Sequence, residues 1–214
     1  MTRPDLTHLL FLLDRSGSMQ SIKADTEGGF AAFVDEQRRA VAGDCRVTLA
    51  QFDNAYEVVY SDLPLAEVPP LVLEPRGSTA LLDSMGRMIG EAGAGLAALP
   101  EDQRPGTVVV AVMTDGHENA SKEWTHAAIR SLVEQQTDAY HWQFLYMGAD
   151  QDAIEVGASI GVAAGHAVTY GRGKAREAMA VTSAKIARLR SDRMSDPAAP
   201  AAAYSQAERD ELAR

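Results

Sequence analysis

The chain is poor in cysteine: 214 residues contain one, Cys45. One thiol cannot close an internal disulfide, so nothing signals an oxidising compartment. No His or Cys lies near it at metal-ligand spacing, and Cys45 reads as a small buried hydrophobe. Long apolar runs are also missing. None approaches the roughly 18 residues of a membrane span. Before Asp14 there is one early Arg, and the unbroken apolar run, Leu9 to Leu13, is five residues, too few for the apolar region of a secretory signal. Positive charge is scarce. Lys and Arg number 20 against 30 Asp and Glu, for a net charge of −10 and a pI near 4.9. Such a surface repels nucleic acid and anionic membranes, which excludes both as main partners. These absences predict a cytoplasmic chain.

Common enzyme signatures are absent too. There is no Gly-x-Ser-x-Gly elbow, and Ser16 has no evident His partner. No Gly-x4-Gly-Lys phosphate loop occurs. Gly93-x-Gly95 lies where a helix should end rather than after a strand, which argues against a dinucleotide site. His117-Glu118 lacks the second His of a zinc motif, because position 121 is Ser. No internal repeat is visible.

What is present is a core. Hydrophobic residues make up 46%, enough for one packed domain at this length. Apolar runs alternate with helix-like stretches. Strands are predicted at Thr7–Leu13, Arg46–Phe52, Tyr56–Tyr60, Thr107–Met113, Trp142–Met147 and Ala167–Tyr170. Helices are predicted at Ile22–Val41, along the Leu81, Leu82, Met85, Met88, Ile89 stripe, and at Trp124–Gln136, Ile154–Ile160 and Lys174–Arg193. Gly28-Gly29 weakens the first helix, and Gly93, Gly95 and Pro100 to Gly106 mark a break after the second. The joint Asp53-Asn54-Ala55 is short enough for an antiparallel hairpin. Ser61–Arg76, with four prolines, reads as a loop. After Ser195 the chain reads as a loosely held end, with a turn or two of helix over Tyr204–Leu212. The order is that of an α/β domain: a mostly parallel sheet between helices, with one antiparallel edge strand.

In such folds ligands sit beyond the carboxyl ends of the strands. Two strand ends carry oxygen side chains: Asp14-Arg15-Ser16-Gly17-Ser18 and Thr114-Asp115-Gly116. A third piece, Gly77-Ser78-Thr79, opens the Leu81 helix. Two carboxylates and several hydroxyls, with no Cys or His, form a hard-ligand set suited to Mg²⁺, Mn²⁺ or Ca²⁺. The set is short of negative charge. An ion held by Asp14 and Asp115 is balanced overall but locally underdonated, so it favours an anionic oxygen from outside. A calcium-binding EF-hand loop is excluded: counted from Asp14, the sixth residue is Met19 where glycine is needed.

These three pieces, in order, resemble the metal-ion-dependent adhesion site of von Willebrand factor type A domains. The resemblance covers about residues 5–193 and implies one domain over residues 1–194 with an Ala/Pro-rich tail over 195–214. It implies a Rossmann-like, doubly wound, six-stranded sheet in order 3-2-1-4-5-6 with helices on both faces. It further implies that Ser16, Ser18 and Thr79 contact a metal through hydroxyls, with Asp14 and Asp115 in its shell directly or through water. The implied role is a binding or scaffold module, not an enzyme, whose Mg²⁺ captures an Asp or Glu of a protein partner. Intracellular members are often linked to AAA-type ATPases or stress-resistance systems. In some relatives the last helix, here Lys174–Arg193, shifts when the site is filled.

Plainer readings stand beside these. Asp14, Ser16 and Ser18 suit a simple turn or N-cap. Thr79 suits a helix cap, and Asp115-Gly116 an ordinary turn. His117, Glu118 and Asn119 are candidates for the rim or mere exposed loop. A metal-dependent phosphatase or hydrolase with Asp14 as nucleophile is the rival chemistry; such folds want a second acid two residues on, where Ser16 stands. Residues 171–193 hold seven Lys and Arg against Glu177 and Asp192. They read as a solvated helix face or, second, a dock for an acidic partner.

Overall fold

The computed structural model describes residues 2–40 and 43–213. Six strands, β1 (Arg3–Asp14), β2 (Asp44–Phe52), β3 (Tyr56–Pro64), β4 (Pro105–Thr114), β5 (Gln143–Ala149) and β6 (Ala167–Tyr170), form one sheet in order β3-β2-β1-β4-β5-β6. All neighbours are parallel except β2 and β3, which form the antiparallel hairpin at one edge. Helices α1 (Lys23–Arg39), α2 (Leu81–Ala98), α3 (His126–Tyr140), α4 (Ala153–Ser159), α5 (Ala175–Arg193) and α6 (Gln206–Leu212) surround it. None is long and apolar enough to cross a membrane.

β1 is the central strand, and its unbroken apolar run follows from being covered twice. Leu9, Phe11 and Leu13 point to a core shared with α1 and α5. Leu10 and Leu12 point to a second core under α2, α3 and α4. Phe11 meets Phe30 and Phe33 edge-on, with ring centres 5.2 and 5.5 Å away. Each such side chain contributes about 1.5–3 kcal/mol through burial. The α1 stripe Phe30, Phe33, Val34 and Gln37 is buried as its spacing predicts; Val41, placed on the same stripe, lies outside the described residues.

Gly29 serves helix packing here. A β-carbon on it would lie 2.9 Å from Arg176 Cα and 3.0 Å from Met179 Sδ, so glycine lets α1 and α5 touch. Gln37 Nε2 donates to Ser183 O at 2.7 Å and locks the pair.

Several expectations differ from the structure. α2 does not break at Gly93 and Gly95 but runs to Ala98 before Pro100. A helix of 18 residues absorbs three exposed or half-exposed glycines because each new bond adds to a formed nucleus. β3 continues to Pro64, so the loop begins later than Ser61. Trp124 precedes α3, and its ring lies over Gly86 of α2, where a β-carbon would come within 2.3 Å.

The end after Ser195 is held firmly rather than loosely. Tyr204 and Leu212 are buried. Tyr204 OH lies 2.6 Å from Thr182 Oγ1, Ser205 and Glu208 form a capping box on α6, and Lys185 Nζ bonds Glu208 at 2.9 Å. Arg193 Nε donates to Ala199 O at 2.8 Å. Lys185, Arg190 and Arg193 are therefore buried, and the basic stretch is not a uniform solvated face. Their cationic heads are satisfied by carbonyls and one carboxylate from segments far along the chain, which helical spacing does not display.

Candidate functional site

β1 and β4 lie side by side and parallel, so their carboxyl ends deliver Asp14 and Asp115 to one place. Asp14 is fully buried. Its Oδ1 accepts the Ser16 N–H at 2.6 Å, an Asx turn that reverses the chain at once. Its Oδ2 accepts the Thr114 hydroxyl at 2.5 Å. Ser16 Oγ then stands 3.0 Å from Ser18 Oγ, and Ser18 donates to Asp115 Oδ1 at 2.6 Å. The turn reading is thus true of Asp14 and incomplete for the serines, whose hydroxyls look toward the second strand end.

The third piece is carried in by the loop after β3. Leu65, Val68, Leu71 and Leu73 anchor that loop in the core. Gly77 adopts φ +69°, and a β-carbon there would lie 2.3 Å from Asn54 Oδ1, so glycine is required. Gly17 N–H donates to Gly77 O at 3.2 Å, and Arg76 N–H to Arg15 O at 2.8 Å. The two loops are zipped together, and Thr79 is buried beside them. Thr79 does not cap α2; that helix has no side-chain cap at its start. Glu118 instead accepts the Leu82 N–H at 2.9 Å, which favours the helix N-terminus.

Gly116 shows how closely the oxygens gather. A β-carbon on it would lie 2.6 Å from Thr79 Oγ1, 3.4 Å from Asp14 Oδ2 and 3.5 Å from Ser16 Oγ. Asp115 Oδ2 is buried with no hydrogen-bond partner among the described residues. A buried carboxylate oxygen without a donor is costly unless something cationic meets it. Burial raises the Asp14 carboxyl to about 6, against the pull of the Thr114 and Ser16 hydrogen bonds. Asp115 is also raised, chiefly by burial, with the Arg172 charge opposing. Two neighbouring acids that resist ionisation, hydroxyls around them and an orphaned oxygen fit a hard divalent cation. No cluster of three His, Cys, Asp or Glu capable of holding a metal occurs among the described residues; a site here relies on hydroxyls.

Several residues in this architecture were not legible. Asp53, read as part of a hairpin joint, is buried and accepts from Arg15 Nε at 3.1 Å and Arg76 Nε at 2.9 Å. It holds both loops from behind, and its carbonyl accepts the Ala80 N–H at 2.8 Å. Asn119 Oδ1 accepts the Thr79 N–H at 3.0 Å. Asp83 gathers the N–H groups of Lys122, Glu123 and Trp124. Of the three rim candidates, Glu118 and Asn119 position the loop, while His117 is exposed.

Seen whole, the molecule has the fold of von Willebrand factor type A domains. The von Willebrand factor type A protein from Catenulispora acidiphila superposes with a TM-score of 0.56 and 15% identity, over 84% of this chain and 42% of that one. The vWF domain of the type V pili tip protein Mfa5 from Porphyromonas gingivalis gives 0.58 and 11%, over 84% and 94%. Proximal thread matrix protein 1 from the mussel byssus, with a zinc-occupied MIDAS motif, gives 0.55 and 14%, over 83% and 46%. The chain spans less than half the length of the Catenulispora and mussel proteins. No protein-family model matches the sequence, and no curated protein matches it.

Proposed function

We propose that the chain is a binding module in which Asp14, Ser16, Ser18, Thr79 and Asp115 hold a divalent cation, Mg²⁺ or Mn²⁺, that captures an acidic side chain of a protein partner. The gathering of Thr79 Oγ1, Asp14 Oδ2 and Ser16 Oγ around Gly116 carries the reading. When bound, the cation supplies an open position for an anionic oxygen. The chain's own residues do the rest. Thr114 and the Ser16 N–H orient Asp14, Ser18 orients Asp115, and the Arg15–Asp53–Arg76 cluster keeps the two loops in register. With two carboxylates for two positive charges, the site favours one more acidic group. The zinc in the mussel protein's MIDAS motif supports a metal at this position of the fold.

The same geometry disfavours hydrolysis by Asp14. Both its oxygens are engaged and the residue is fully buried, which suits a positioned ligand better than a nucleophile. The test is Mn²⁺ binding by electron paramagnetic resonance, followed by binding of a blocked glutamate peptide with and without chelator. One Mn²⁺ site, lost in Ser16→Ala and Asp115→Ala, and chelator-sensitive peptide binding are expected. Peptide binding that survives chelation sinks the reading. Steady phosphate release from a model ester, abolished by Asp14→Ala, would replace it with the hydrolase.

A further inference from the structure

The basic stretch that follows β6 divides in two. Lys185, Arg190 and Arg193 are buried and serve the packing of α5. Arg172, Lys174 and Arg176 lie on the loop and first turn after β6. All the parallel strands point the same way, so this loop emerges at the end of the sheet that carries Asp14 and Asp115.

Arg172 is the best placed of the three. Its side chain is 62% exposed, and its Nε meets Asp150 Oδ2 at 2.8 Å. Asp150 sits in the left-handed region at φ +47°, with its N–H bonded to Tyr170 O at 3.0 Å. Aspartate is among the non-glycine residues that adopt this conformation most readily. Here it carries the carboxylate that steers Arg172. No second carboxylate pairs with Arg172 among the described residues. The Arg176 guanidinium lies against Gly28. Lys174 pairs loosely with Glu177 at 3.5 Å.

We propose that the partner presents an acidic segment rather than a lone acidic residue: one carboxylate enters the metal site and a neighbouring one pairs with Arg172. This rests on the carboxylate-capture reading of that site. A chain of net charge −10 repels an acidic segment at long range. One cation bound between two carboxylates does not reverse that field. Arg172 meets Asp150 through Nε and is 62% exposed, so its remaining N–H groups are open to a second carboxylate, and pairing there confers selectivity for more than one negative charge.

The experiment uses the full chain loaded with Mn²⁺ and two sets of blocked glycine peptides. One set carries a single Glu; the other carries two Glu separated by one, two or three residues. Calorimetry is expected to show at least one two-Glu peptide binding about tenfold tighter than the one-Glu peptide, roughly 1.4 kcal/mol. Arg172→Gln should erase that ratio, with Mn²⁺ loading measured in parallel, and Arg172→Lys should keep part of it. The same ratio in Arg172→Gln, or no ratio in the wild type while one-Glu binding persists, overturns the acidic-segment proposal alone. Absence of any peptide binding to the Mn²⁺-loaded protein overturns carboxylate capture itself.

Discussion

Replacing Asp14 by Asn separates the cost of a buried charge from its use. The side chains are isosteric, and both hydrogen bonds can persist: the Asn oxygen accepts the Ser16 N–H, and its amide donates to Thr114 Oγ1. The charge alone is removed. Burial lifts the Asp14 carboxyl from the ordinary 3.8 to about 6, which at ~1.4 kcal/mol per tenfold corresponds to about 3 kcal/mol. The sign follows from proton counting. Between about pH 4 and pH 6 the native state keeps a proton that the unfolded state has released, so stability falls as pH rises through that window. Above about pH 6 the whole cost is present; below about pH 4 it is gone. In chelator, Asp14→Asn should therefore be about 2–3 kcal/mol more stable than wild type at pH 7 and equal to it near pH 4. Urea unfolding of both proteins across that range measures the difference directly. A difference that does not change with pH, or a variant less stable at pH 7, refutes the reasoning. Mg²⁺ at a thousandfold excess over Kd should invert the order, because binding then adds about 4.1 kcal/mol to the wild type alone.

Gly116→Ala would put a methyl group 2.6 Å from Thr79 Oγ1; the expected result is loss of Mn²⁺ binding and destabilisation of about 1–3 kcal/mol, and unchanged Mn²⁺ affinity would show that the oxygens do not act together there. Tyr204→Ala removes a buried ring that bonds Thr182 and receives the Lys185 charge 5.0 Å from its centre. Urea denaturation should show a loss of about 3–4 kcal/mol, whereas a loss below about 1 kcal/mol would mean that the end of the chain is loosely held after all.

The candidate site was legible because its chemistry is local. Asp14, Ser16 and Ser18 lie at alternate positions just past an apolar run, and Asp115 just past another, so strand prediction alone brings both to one end of a parallel sheet. Thr79 was legible as a helix opener with a hydroxyl. Asp53 was not, because nothing in a three-residue hairpin joint announces that its carboxylate turns inward to two arginines 38 and 23 residues away. Glu118 was ambiguous for the same reason: its acceptors serve the N-terminus of α2, 36 residues earlier. The glycines of α2 misled in the other direction. Propensity marks them as a break, yet burial of Leu82, Met85 and Ile89, with Ala92 and Leu96 packed against the same core, holds the helix through them.

By itself the amino-acid order determined the α/β class, the buried strand before Asp14, the antiparallel edge and the five oxygen-bearing residues, since each follows from periodicity or from the chemistry of a few adjacent side chains. Tertiary structure alone decided which cations are structural and which stay exposed. Lys185, Arg190 and Arg193 look no different in sequence from Arg172, but a cation's role depends on what stands opposite it, and their partners come from segments the sequence keeps far apart. It also decided that the end of the chain packs against α5, because an alanine- and proline-rich stretch shows little periodicity until a buried Tyr204 and Leu212 reveal where it lies. Asp14, Ser16 and Ser18 could name oxygens of a candidate site; only the fold could place Gly116 among them and show that no larger residue fits.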